Sequence, residues 1–192
     1  MPRRSISQCL IAAALLFLSP ALAQGPTPAP ALAEDDILQT LIQGEALRAV
    51  GDYAGLLGAA ENLRLLGANP VDGQGDVAIG WIEEARAHGV TRAIRSARGR
   101  ALGPGYRRGA LPGGESLTIR QVFLGGQPAR VALATAGKGV NAELSVAVRD
   151  TEGRLMCGGG VNFVWQPAYS GRVDIEIANA GDASSDFYVT IK

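Results

Sequence analysis

Seven arginines crowd into a stretch that contains no acid. Arg86, Arg92, Arg95, Arg98, Arg100, Arg107 and Arg108 fall between residues 85 and 114, a local charge of +7 in a chain whose 18 basic and 18 acidic side chains balance. A guanidinium stays charged and offers a planar fork of donors suited to carboxylates and phosphates. Arg92, Arg95 and Arg98 recur every three residues, so a helix would set them on one side, where like charges repel unless something answers them. The first possible answer is an anionic partner: a lipid head group, a carboxylate ligand or an acidic envelope protein. Arg92, Arg95, Arg98, Arg100, Arg107 and Arg108 would bind it, with Tyr106 of the GPGYRRG run as anchor. The second answer is internal. Residues 34–84 hold ten acids against Arg48 and Arg64, a balance of −8 that could neutralise the row and join two halves of the chain.

Other chemistry is sparse. His88 is the only histidine, and its place before Gly89 suits the end of a helix. With Cys157 it makes no zinc constellation, and no G-x-S-x-G nucleophile motif occurs. Glu83 and Glu84 are neighbours, so a helix points them about 100° apart rather than into one site. Gly158, Gly159 and Gly160 lack the Lys-Ser/Thr of a phosphate loop and read as a strand bulge or a close backbone approach. No cofactor is expected. The overall charge balance also disfavours a nucleic-acid partner, because phosphate binding needs a positive excess.

The first residues read as an address. Arg3 and Arg4 precede an apolar run over residues 10–18, and Ala21-Leu22-Ala23 offers the small residues of a signal-peptidase site. Residues 1–23 are therefore expected to be a cleaved signal peptide and the periplasm the destination. Sixteen basic and eighteen acidic residues remain after that cleavage, a net charge of −2, and Cys157 becomes the lone cysteine. The mature chain then has no internal disulfide, so its core must hold the fold. Residues 24–33 are rich in proline and alanine and read as an extended leader.

The elements that must position the arginines follow. Acidic residues at 34–36 suit a helix start, and Ile37, Leu38, Leu41 and Ile42 recur at helical spacing. Asp52 should cap a second helix carrying Leu56, Leu57, Ala60 and Leu63, and a third should run from about Asp76 to Ala87. Val90, Ile94 and Ala97 allow a fourth. This makes residues 34–98 a helical domain. Residues 99–114, dense in glycine, read as an irregular basic connector. From residue 115 the period falls to two, and seven short strands separated by turn signals argue for an antiparallel sandwich, jelly-roll-like, over residues 115–192. The expected class is α+β: three or four helices, then a β-sandwich.

The strand region also resembles a known family. Its Asp150-Thr151-Glu152-Gly153 turn, Pro167, Gly171, and the Asn179-Ala180-Gly181 run are similar to those of the bacterial pre-peptidase C-terminal domain, a β-sandwich found beside secreted peptidases and in other exported proteins. The resemblance covers about residues 115–192. That family's aspartates are replaced here by GKGVNAELSV, which leaves Asn141 and Glu143, too few oxygens for calcium. The resemblance thus implies the sandwich without its metal. Together these features define an exported, non-catalytic binding or structural module. A carboxylate-dependent hydrolase of cell-envelope material and an accessory subunit of an envelope complex are the alternatives.

Overall fold

The computed structural model describes residues 35–71, 73–93, 103–136 and 143–192. Three helices open it: α1 (Asp36–Ala49), α2 (Tyr53–Leu65) and α3 (Val77–Ala87). Each begins at an aspartate whose carboxylate accepts an otherwise orphaned backbone N–H, Asp35 from Leu38 at 3.1 Å, Asp52 from Gly55 at 2.8 Å and Asp76 from Ala78 at 2.9 Å. Each ends just before a glycine, with Arg48, Arg64 and Arg86 in the last turns where the helix dipole favours cations. His88 caps α3, and its ring stacks on Tyr53 at 3.7 Å between centroids. Residues 90–93 are not helical and 94–100 lie outside the described residues, so the described bundle has three helices.

The described residues also form nine strands in two sheets. Sheet A has the order β1 (Asn69–Pro70), β2 (Gly105–Leu111), β9 (Ser185–Ile191), β4 (Ala129–Thr135), β7 (Asn162–Trp165). Sheet B has the order β3 (Ser116–Phe123), β8 (Gly171–Asn179), β5 (Leu144–Asp150), β6 (Leu155–Gly160). All pairings are antiparallel except β1 with β2. The glycines of 158–160 form the bulge their run implies: Gly160 sits opposite Val146 and Gly158 opposite Ala147, which leaves Gly159 unpaired at φ +82°.

Residues 99–102 of the expected irregular connector lie outside the described residues, and over Gly105–Leu111 a regular strand, β2, stands in its place. The strand's glycines are there to let neighbours approach. A Cβ on Gly109 would stand 2.6 Å from the Phe187 ring, and one on Gly105 would stand 2.5 Å from a Val71 methyl. Tyr106 and Leu111 of the same strand are buried and supply its packing. Glycine here marks close packing inside a strand rather than its absence.

The helices lie on the outer face of sheet A, giving three layers: helices, sheet A, sheet B. Strand β9 shows how. Phe187, Val189 and Ile191 enter the core between the sheets, while Tyr188 joins the core under the helices, with Ala132 of β4. Sheet A is thus buried on both faces, and β9 reads as a continuous apolar run instead of an alternating one. Five leucines from α1 and α2 are almost fully buried on the helix side, each stabilising by roughly 1.5–3 kcal/mol.

The most deeply buried carboxylate of that seam crosses it. Asp35 is 1% exposed, and besides capping α1 it accepts the Thr190 hydroxyl of β9 at 2.8 Å and the Lys192 ammonium at 3.1 Å. Asp35→Ala removes the cap and leaves Thr190 and Lys192 facing a void. It is expected to cost about 2–4 kcal/mol, read as a lowered urea midpoint with unchanged slope. Cys157, buried in the sandwich core, has its thiol pushed up by burial. It should react with Ellman's reagent only as the protein unfolds, with the same denaturant midpoint as the circular-dichroism signal.

Candidate binding faces

Of the six arginines expected to bind an anion, Arg92, Arg107 and Arg108 fall within the described residues. Arg92, in the segment after α3, donates to Glu61 of α2 at 2.7 Å. Arg108 of β2 lies 3.6 Å from Glu45 of α1, its guanidinium carbon 5.9 Å from the centre of the Tyr188 ring. Arg107, on the same strand, sits opposite Val189 and is half-buried. Arg95, Arg98 and Arg100 lie outside the described residues. Tyr106 is 1% exposed: its hydroxyl accepts the Val77 N–H at 2.8 Å and donates to Asp76 at 3.2 Å, so it holds the start of α3 from below.

Glu45 is the centre of this region. Tyr188 donates its hydroxyl to the Glu45 carboxylate at 2.7 Å, and Arg48 lies 3.8 Å from the other oxygen. Arg48 in turn donates through Nε to both oxygens of Glu84 on α3, at 3.0 and 2.8 Å, and this pairing strengthens its hold on the proton. Burial pushes the Tyr188 phenol well above the ordinary tyrosine range, and the Glu45 carboxylate beside it adds to the shift. Neither Glu45 nor Tyr188 stands out in the sequence. The available signal is Tyr188 itself, an aromatic hydroxyl on the outward side of a strand whose other side is core.

Sheet B has no cover on its outer face among the described elements. Its side chains form a solvent-facing ladder in which Arg120 Nε meets Asp174 at 3.0 Å and Arg149 Nε meets Glu176 at 3.4 Å. At one end of the sandwich the β3–β4 loop (residues 124–128) is zipped to the β7–β8 loop (residues 166–170). Gly125 donates to the Ser170 hydroxyl at 2.9 Å, Gly126 to the Pro167 carbonyl at 2.7 Å, and the Gln166 amide to the Gly126 carbonyl at 2.9 Å. At this rigid end Tyr169 is 87% exposed, Leu124 64% and Val122 60%. Beside it runs a cleft of about 320 Å³ against the Asp150–Gly153 turn, where Arg154 bonds Asp150 at 2.7 Å and holds that carboxyl below its usual range. Among the described residues no three His, Cys, Asp or Glu side chains gather as a metal site, and no helix is long and apolar enough to cross a membrane.

No family model matches the chain, and no curated relative does. Solved structures similar to part of it include a periplasmic inhibitor of g-type lysozyme from Aeromonas hydrophila, at 13% identity and TM-score 0.39, covering 46% of this chain and 84% of that one. The Yersinia pseudotuberculosis-derived mitogen is similar at 15% identity and TM-score 0.40, with the same coverage. A de novo designed double-stranded β-helix is similar at 11% identity and TM-score 0.29, covering 45% of this chain and 97% of that one.

Tyr188→Phe deletes the hydroxyl that Glu45 accepts and is expected to cost about 1–2 kcal/mol at pH 8, measured by urea unfolding. The sign with pH follows from the raised phenol. Its contribution is full below about pH 10, where both folded and unfolded states keep the proton. Above that, the unfolded chain ionises first, so stability falls with rising pH and the gap between wild type and variant narrows.

Proposed function

We propose that this protein is an exported, non-catalytic binding module of the periplasm that holds an acidic envelope protein against the uncovered half of its sandwich. The observation that carries this is the zipped loop end, where Tyr169, Leu124 and Val122 stand exposed on a backbone fixed by hydrogen bonds. Clustered exposed apolar side chains on a rigid scaffold favour a protein contact, whereas scattered ones are ordinary surface. The basic signal-like leader, Arg3 and Arg4 before an apolar run, supports export. The non-catalytic reading is supported by how the acids are used: Glu45, Glu61, Glu84, Asp150, Asp174 and Glu176 each face an arginine. The same reading takes the sandwich as a pre-peptidase-C-terminal-like module that lacks the calcium aspartates.

The test is native mass spectrometry of the mature protein taken from its own periplasm, beside the variant carrying Leu124→Ser and Tyr169→Ser. Wild type should carry the mass of a second protein, and the double variant should retain about tenfold less of it with an unchanged circular-dichroism spectrum. A bare monomer, or equal capture by the variant, would overturn the proposal. A bound lipid or small anion in place of a protein would do so too, and would move the site to the arginine segment.

A further inference from the structure

The four lateral edges of the two sheets are not equally protected. An open edge offers unpaired N–H and C=O groups to any extended chain, and folded proteins blunt it with short strands, proline or bulges. In sheet A, β1 has two residues, one of them Pro70, and β7 has four. In sheet B, β6 is broken by the Gly159 bulge. Strand β3 has none of these. It runs eight residues in unbroken register with β8, without proline, glycine or lysine, and no described strand pairs with its other side.

The pairing shows which groups that side offers. The Asn179 N–H bonds to the Glu115 carbonyl, and Ser116 stands opposite Ala178. In an antiparallel ladder this makes Leu117, Ile119, Gln121 and Phe123 the residues bonded to β8. The amides and carbonyls of Ser116, Thr118, Arg120 and Val122 therefore point away from the sheet. Beside the last three residues of β3 is an open cavity of about 670 Å³, walled by Gln121, Val122 and Phe123 and by Asn69, Val71, Gly105 and Ile191 of the sheet A side. A strand added to β3 would turn side chains into it at this end. On the outward face, Arg120 is 71% exposed, and Arg172, opposite Val122, is exposed as well, with Asp174 the carboxylate between them.

We infer that the free edge of β3 takes an extended segment of the partner protein as an added strand, with carboxylates outward beside Arg120 and Arg172 and apolar side chains turned into the cavity. This deepens the binding-module reading and rests on it: main-chain bonds would supply the attachment, and the alternating side chains the choice of partner.

Hydrogen exchange on the mature protein, followed by peptide binding, tests it. In the free protein the amides of Ser116, Thr118, Arg120 and Val122 should exchange far faster than those of Leu117, Ile119 and Gln121. A fluorescent peptide alternating valine with glutamate should bind saturably and protect those four amides, and one alternating valine with lysine should bind about tenfold more weakly. Thr118→Pro removes an outward N–H, a place where an edge strand tolerates proline, and should abolish the protection. Arg120→Glu should reverse the preference between the peptides and serves where the proline variant does not fold. Amides already protected in the free protein would mean that the chain's own residues fill the edge, and would overturn the inference. So would absence of saturable binding, or binding that a folded Thr118→Pro variant leaves unchanged. If Thr118→Pro retains the periplasmic partner that the Leu124 and Tyr169 substitutions lose, the edge inference falls while the binding-module reading stands.

Discussion

A single buried carboxylate ties the start of α1 to the last residues of β9 and to Lys192. Asp35 is almost sealed from water, a situation that costs several kcal/mol unless the charge is fully answered. It is answered from three directions: the Leu38 amide of α1, the Thr190 hydroxyl and the Lys192 ammonium. None of these suffices alone. The helix must start where it does, β9 must lie beneath it, and β9 must be in the register that turns Thr190 outward and Val189 inward. A one-residue slip of β9 would replace Thr190 by a valine and turn Tyr188 into the sandwich. The carboxylate therefore selects the alignment of helices on sheet as much as it stabilises it.

From that seam the distribution of polarity follows. Sheet A lies between helices and sheet B, and from Phe187 to Ile191 its strand β9 is buried on both sides, with Tyr188 and Thr190 each answered by an acid of α1 or its cap. Sheet B has a single core face, so its outer residues can be charged, and the Arg120–Asp174 and Arg149–Glu176 pairs occupy it. These exposed pairs are worth little in stability, of order 0–1 kcal/mol each. Their effect is to keep the open face polar between the exposed apolar side chains of the loop end and Leu155 of β6.

Local order was legible in the sequence wherever it is locally determined. The aspartate caps, the glycine stops and the period of the apolar residues place the three described helices, and alternation with turn signals places seven of the nine described strands. Strand β2 was hidden because its glycines answer to Phe187 and Val71, residues distant in sequence or outside the strand. The stacking of helices on sheet A left only one trace, the unbroken apolar run through β9, which a sandwich edge strand would not need. The arginine row shows the same limit. Its charge was plain, but the partners of Arg108 and Arg92, Glu45 and Glu61, are chosen by how α1 and α2 pack against β2 and the segment after α3, which is a property of the folded chain. The exposed loop end was invisible for the same reason: Gly125, Pro167 and Ser170 read as separate turns until the fold brings them together.

The two halves of the molecule thus divide their roles by burial. The helical layer turns Glu45 and Asp35 inward onto Tyr188 and Thr190, pairs its other acids with Arg48 and Arg92 at the surface, and covers the outer face of sheet A. A sandwich needs no such cover if both outer faces are polar, as the sheet B side demonstrates. Covering one sheet leaves all freely accessible sandwich surface on the other, and it removes the outer face of sheet A from competition as a contact surface. The asymmetry of the edges has the same sense. Blunting β1, β6 and β7 while leaving β3 regular directs any added strand to the side where Val122, Leu124 and Tyr169 already stand exposed.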